Sequence, residues 1–221
     1  MDETPGRPAA GRTARKREAI LTAATGLFLR NGFHGTSMDE VASLAQVSKQ
    51  TVYKQFADKE ALFREIVEGV TGNSDAVVDL VTTAFGKAPA TSRADLEERL
   101  RAVARAHLDA VLRPEVLSLR RLIIAEAEQF PDLARRYYEQ APSRGVDVVA
   151  DCLRTYVDAG LVDADDLRLA AGHFAYLALA AVQDRALFIP TELPDRKERD
   201  RIAAAAARAF LAAHGTNRTE G

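Results

Sequence analysis

The segment from residue 36 to residue 62 constrains the fold most, because its residues predict two short helices joined by a tight turn and followed by a third helix. Ser37 and Glu40 form a capping box, which predicts that a helix begins there. Ser48 predicts the N-cap of the next helix, over residues 49–55. A helix that follows such a turn can place its N-terminal end in the major groove of DNA. The segment therefore predicts a helix-turn-helix.

The outward side chains of the helix over residues 49–55 suit contacts with DNA. Glutamine suits the adenine edge, lysine suits guanine or phosphate, and threonine can touch a thymine methyl group. The candidate contacts on this helix and at its cap are Ser48, Lys49, Gln50, Thr51, Tyr53 and Lys54. Lys59 adds a phosphate contact at the start of the following helix, where free backbone amides favour an anion. Periodicity alone is equally compatible with a three-helix bundle whose polar faces are only solvated.

Charge is distributed unevenly along the chain. Residues 1–57 hold eight basic and five acidic residues, a net charge of +3, whereas the remainder carries −5. Arg15 belongs to the basic stretch that precedes the helix-turn-helix, and we predict that it contacts DNA. Residues 5–8, Pro-Gly-Arg-Pro, resemble the core of a minor-groove AT-hook, with proline where that motif has arginine. A minor-groove arm and a disordered solubilising tail are both compatible with this stretch.

Apolar residues recur at helical spacing along the chain, and no segment shows sustained alternation, so the sequence predicts an all-α protein of nine helices. The first helix is expected over residues 13–30, and residues 59–85 are expected to form one long helix that kinks at Gly72. We predict four parts, which are a flexible basic arm at 1–14, a helix-turn-helix domain at 15–60, an effector-binding and dimerisation domain at 61–214, and a disordered tail at 215–221.

The two last helices, over about residues 165–187 and 195–214, predict a dimer interface. The first of them is apolar on two sides, so that one side can serve the chain's own core and the other a partner chain. The second is rich in alanine, which permits close packing between helices. A single buried core helix in a monomer is the alternative.

Residues 20–62 closely resemble the N-terminal domain of TetR/AcrR-type transcriptional regulators. The matching residues include Ile20, Ala23, Phe28, Gly32, Phe33, Thr36, Ser37, Val41, Ala45, Val47, Ser48, Thr51, Tyr53, Phe56, Lys59 and Leu62. Residues 119–139 resemble the C-terminal domain of the AefR-like subgroup. The resemblance implies a TetR-type architecture and adds Thr36, at the start of the second helix, to the DNA contacts.

The resemblance also implies a function, which is a homodimeric repressor released from a palindromic operator by a small-molecule effector. An architectural or ligand-independent DNA-binding protein is the alternative. An enzyme is disfavoured, because the sequence has no Gly-rich phosphate loop, nucleophile elbow or metal motif.

In this family the middle helices enclose the effector. The implied pocket residues are Val103, His107, Leu119, Ile123, Glu126, Val149, Cys152, Tyr156, His173 and Tyr176. The histidines with Glu126 or Cys152 fit no metal-ligand spacing, so we expect hydrogen-bonded core groups, with no metal and no cofactor. A single cysteine and the lack of an apolar leader indicate a reducing cytoplasm. The uncharged run at residues 169–182 is too short to span a bilayer.

Overall fold

The computed structural model describes residues 8–71, 74–86 and 91–216, and within them the chain is all-α. The helices are α1 (Pro8–Asn31), α2 (Met38–Leu44), α3 (Lys49–Gln55), α4 (Lys59–Thr71), α5 (Ser74–Phe85), α6 (Arg93–Val111), α7 (Pro114–Ala125), α8 (Pro131–Tyr138), α9 (Arg144–Asp158), α10 (Leu167–Phe188) and α11 (Arg196–His214). A π-helical segment, Glu139–Ser143, joins α8 to α9. The all-α prediction is confirmed.

The predicted number of nine helices is wrong, since the described residues form eleven α-helices. The long helix expected over residues 59–85 is two helices, α4 and α5, and the kink predicted at Gly72 lies outside the described residues. Helix α7 ends at Ala125, and Pro131 begins α8 as a separate helix. Proline has no backbone N–H, so it fits the first position of a new helix better than the interior of an existing one.

Local capping signals in the sequence set several helix ends. Ser37 and Glu40 form the predicted capping box at the start of α2, and the Ser48 side chain accepts a hydrogen bond from the Thr51 backbone at the start of α3. Gly32 and Gly160 follow α1 and α9 with φ values of 74° and 69°. This left-handed backbone favours glycine, which explains why both helices end beside these residues.

The first of two compact units comprises the chain up to residue 72 together with residues 122–134. Its core contains side chains from α1, α2, α3 and α4. Its largest fully buried members are Phe28, Phe63, Ile20 and Leu62. The sequence predicts a boundary at residue 60 instead. The first unit extends beyond residue 60 because Phe63, Ile66 and Val67 of α4 are buried in it. The boundary between the functional domains stays a prediction.

The second unit comprises residues 73–121 and 135–221. Its core draws on α5, α6, α9, α10 and α11, and the Phe174 and Phe210 rings meet edge to face at 5.4 Å between centroids. Ion pairs at its surface link α6 to α11, since Asp109 of α6 accepts hydrogen bonds from both Arg105 of α6 (2.9 Å) and Arg199 of α11 (2.7 Å).

Both predicted terminal segments overlap ordered structure. Residues 8–14, expected in the flexible arm, are helical, and residues 1–7 lie outside the described residues. At the other end, Gly215 pairs with Val162, and the Thr216 hydroxyl donates to the Gly160 carbonyl at 2.5 Å. Residues 217–221 of the expected tail lie outside the described residues.

Candidate DNA-binding surface and ligand cavity

The α2–turn–α3 segment presents one polar face of α3 to solvent. Gln46 makes the turn with a φ of 54°, and the Val47 amide donates to the Ala42 carbonyl at 3.0 Å. Val52 and Phe56 are buried and hold α3 to the unit. The outward-facing candidates Lys49, Gln50, Tyr53 and Lys54 are all exposed, and Thr51 is half-buried. The structure therefore brings the predicted reading residues together on one accessible surface.

Lys49 is paired in the free protein. Its Nζ lies 2.8 Å from Asp39 Oδ1, and it also lies 6.0 Å from the centre of the Tyr53 ring. The hydrogen bond that Lys49 donates to Asp39, together with the negative charge of Asp39, raises the pKa of Lys49. Exposed ion pairs are weak, so a phosphate or a base can replace Asp39 as the partner of this ammonium.

The side chains of Thr36 and Lys59 donate hydrogen bonds to backbone carbonyls of the first unit. Thr36 is only 2% exposed, and its hydroxyl donates to the Gly32 carbonyl at 2.9 Å. Lys59 Nζ donates to the Phe33 and Thr36 carbonyls at 2.8 and 3.0 Å and lies 4.4 Å from the centre of the Phe33 ring. Both residues therefore fix the loop between α1 and α2 against the start of α4, and their contact with DNA stays a prediction.

The basic stretch before the helix-turn-helix lies on α1. Arg15 and Lys16 are exposed, whereas Arg17 pairs with Glu65 and lies 5.0 Å from the centre of the Phe56 ring. Arg15 thus projects from a helix and remains available to DNA. The Pro-Gly-Arg-Pro motif includes residues 5–7, which lie outside the described residues.

Residues 122–134 supply a part of the first unit that the sequence does not predict. The Phe130 ring lies 4.9 Å from that of Phe33 and 5.4 Å from that of Phe63, centroid to centroid. Asp132 pairs with Arg64 of α4. The sequence signal for this segment is an aromatic residue directly before a proline, within the stretch that resembles the AefR-like domain. It does not indicate which unit the side chain enters.

Glu126, a predicted ligand contact, belongs to this segment. It is 9% exposed and lies 3.6 Å from His34 Nε2, measured from Oε2. Ile123, another predicted contact, is buried in the same unit.

The second unit encloses a small cavity between α5, α6, α9 and α10. The space that the centre of a water molecule can reach is about 10 Å³, which is room for about one water. The lining residues are Val81, Val103, Ala104, His107, Gly145, Val149, Phe174, Ala175 and Ala178. The predicted ligand residues Val103, His107 and Val149 therefore meet here.

The other predicted ligand residues do not line this cavity. Leu119 is buried elsewhere in the core, and Tyr156 is buried beside Arg99. Cys152 is half-buried, and burial raises the pKa of its thiol. His173 and Tyr176 are exposed on α10, with Tyr176 51% exposed. The family resemblance implied these residues as pocket residues, but it did not distinguish a cavity wall from an outer surface.

His107 is the polar member of the cavity lining. The residue is half-buried, but its Nε2 is fully shielded and has no hydrogen-bond partner. Burial lowers the pKa of His107 to about 4, with a smaller contribution from the positive charge of Arg120. The expectation of a hydrogen-bonded core histidine is therefore wrong for this nitrogen, because the neighbouring side chains in the lining are apolar.

The outer face of α10 is apolar and exposed. The exposed fractions are 57% for Leu169, 43% for Leu177 and 85% for Phe188. The opposite side of the helix carries Ala171 and Phe174 into the core. Alanines are exposed along α11 at positions 205, 209 and 212. Among the described residues no helix is both long and apolar enough to cross a membrane.

Comparison with known proteins assigns this arrangement to a family. Residues 20–66 match the bacterial regulatory proteins of the tetR family, and residues 98–216 match the C-terminal domain of AefR-like transcriptional repressors. The chain is a TetR-family transcriptional regulator.

Solved structures agree with this TetR-family assignment over nearly the whole chain. A TetR-family regulator from Mesorhizobium loti MAFF303099 is 36% identical, with a TM-score of 0.81, and the match covers 93% of this chain and 99% of that one. The flavonoid-responsive regulator FrrA is 29% identical with a TM-score of 0.72, and the match covers 93% of this chain and 100% of FrrA.

The regulator RutR of Escherichia coli K12 is 42% identical over 55 residues, which span 25% of this chain and 26% of RutR.

Proposed function

We propose that this TetR-family regulator is a homodimeric repressor that binds a palindromic operator and is released by a small-molecule effector. The observation that carries the proposal is the exposed polar face of α3, on a helix whose other face is buried. A helix held in this way can enter the major groove without disturbing the core of its unit.

We assign a direct base contact to Gln50 of α3 and a phosphate contact to Lys54 of the same helix. Gln50 has the bidentate chemistry that reads adenine, and Lys49 and Lys54 have the charge that reads guanine or phosphate. Lys59 and Thr36 act mainly by positioning, since their side chains bond within the unit.

We infer that two copies join through the outer faces of α10 and α11. Leu169, Leu177 and Phe188 form an exposed apolar patch, which a partner chain would shield from water. The alanines of α11 allow a partner helix to approach closely. A dimer places two α3 helices on half-sites one helical turn of DNA apart, which increases affinity over a single helix-turn-helix.

We infer that the cavity of the second unit is the core of the effector site. Its walls are apolar, and it has one unpaired polar atom. The similarity to FrrA supports hydroxylated aromatic compounds as the first class of effector to test, because flavonoids belong to that class.

Selection of bound DNA from a random pool tests the operator proposal. We expect a palindrome whose specific affinity exceeds that for random DNA by about a thousandfold or more. Gln50→Ala should cost about 1–3 kcal/mol on the selected site and relax the preference at one base position. Lys54→Ala should weaken binding to all sequences and reduce the salt slope by about one.

Lys197→Ala is the matched control, because this exposed lysine lies on α11 and is not among the predicted DNA contacts. It should leave both specificity and salt slope unchanged. Equal affinity for selected and random DNA would favour the architectural alternative and overturn the repressor proposal.

A further inference from the structure

The nitrogen Nε2 of His107 lies against apolar side chains, where it is shielded from solvent and has no partner. A buried polar atom without a partner destabilises the folded chain, because it loses its hydrogen bond to water and makes no other. Replacement by leucine would remove this penalty while keeping a similar volume. Position 107 therefore suits a side chain whose missing hydrogen bond is supplied by a bound molecule.

The surroundings of His107 restrict what that molecule can be. Val103, Val149 and Phe174 offer apolar surface, and no described side chain in the lining carries a charge at neutral pH. A carboxylate would enter without a cationic partner in the lining and would lose its hydration. A neutral ligand avoids this penalty.

The hydrogen-bonding group of the ligand follows from the chemistry of imidazole. A neutral histidine carries its proton on either Nδ1 or Nε2, so that Nε2 is an acceptor in one tautomer and a donor in the other. A hydroxyl group both donates and accepts, and it can therefore pair with Nε2 in either tautomer. An ether can pair only with a donor.

Resting on the function proposed above, we propose that the effector is a neutral, mainly apolar molecule with a hydroxyl group that hydrogen-bonds to His107 Nε2. The present cavity holds about one water, so the body of the ligand must widen the space between α6, α9 and α10. Beside Val149 and Phe174, the lining of α9 and α10 contains the small residues Gly145, Ala175 and Ala178, at which no bulky side chain has to be displaced. Ligand binding thereby changes the packing of α6, α9 and α10 in the second unit.

Calorimetric titration of the full-length chain with naphthol, methoxynaphthalene and naphthoate tests the proposal. These probes share an aromatic body and differ in carrying a hydroxyl, an ether or a carboxylate. Naphthol should bind about tenfold or more tightly than methoxynaphthalene, because the hydroxyl pairs with Nε2 in either tautomer, whereas the ether pairs only with the tautomer that carries its proton on Nε2. Naphthoate should bind more weakly than naphthol.

Two variants separate hydrogen bonding from packing. His107→Leu should abolish the preference for naphthol over methoxynaphthalene, while the chain keeps a thermal midpoint at or above that of the native protein. Val149→Ala, which alters only the apolar wall, should change both affinities by the same factor. If His107→Leu does not fold, His107→Met replaces it, since methionine adapts to irregular space.

Three outcomes would overturn the inference. They are a tenfold preference that persists in the His107 variant, tightest binding by naphthoate, or equal or absent binding of naphthol and its methyl ether. The last result is expected if His107 only binds a structural water. Operator binding, measured by gel shift on the same preparations, keeps the two proposals apart, since failure of the ligand test with intact operator binding leaves the repressor proposal standing.

Discussion

The burial of His107 predicts how the free energy of unfolding of the regulator depends on pH. The pKa of His107 is lowered from 6.5 to about 4 by burial and by the charge of Arg120. Between these values the unfolded chain binds a proton that the folded chain does not. The free energy of unfolding therefore falls as the pH is lowered from 6.5 towards 4, and this contribution vanishes above 6.5.

The size of the effect follows from the pKa shift. Each pKa unit corresponds to about 1.4 kcal/mol, so a shift from 6.5 to about 4 amounts to about 3 kcal/mol in full. At about pH 5 the folded chain should already have lost about 2 kcal/mol relative to about pH 7.5. His107→Leu removes this proton linkage and should also stabilise the chain at neutral pH by about 1 kcal/mol, since the unpaired nitrogen is gone.

Urea unfolding of both proteins between about pH 7.5 and 5, followed by circular dichroism, measures the difference. Carboxylates whose pKa values are lowered in the folded chain, such as Glu40, Asp95 and Glu198, lose their stabilisation at still lower pH in both proteins, and they cancel in the comparison. We expect the gap between variant and native to widen as the pH falls. Parallel curves would show that His107 accepts a proton in the folded state as readily as in the unfolded state, and would refute the argument.

Two further predictions concern packing and assembly. Phe130→Ala should reduce the free energy of unfolding by about 3 kcal/mol, because it empties a buried site against Phe33 and Phe63, and urea denaturation measures the loss. Tyr138→Ala, at a side chain that is 54% exposed, is the control and should change stability little. Leu177→Glu should convert the proposed dimer to a monomer in light scattering, because a carboxylate would be buried without a partner. A dimer that persists in this variant would place the interface elsewhere on the chain.

Local structure was predictable wherever it depends on residues three or four positions apart. The capping box at Ser37 and Glu40, the cap at Ser48 and the turn after Gly32 involve only neighbours in sequence, and all are present in the structure. The exposed face of α3 follows in the same way, since Val52 is the buried residue of a short helix.

Contacts between distant segments were beyond the reach of these patterns. An apolar stripe shows that a helix face is buried, but it does not name the partner that covers it. The sequence therefore does not name the neighbours of Phe130, and only the folded chain shows it against Phe33 and Phe63.

Short-range spacing in the sequence was enough to predict the helix-turn-helix, the outward side chains of α3 and the resemblance to TetR-type regulators. Tertiary structure alone decided that Thr36 is buried, that Lys59 is bonded to backbone carbonyls, and that His107 faces a cavity without a partner. The physical reason is that burial and hydrogen bonding of a side chain are set by whichever helices pack around it, and that packing joins residues far apart in the chain.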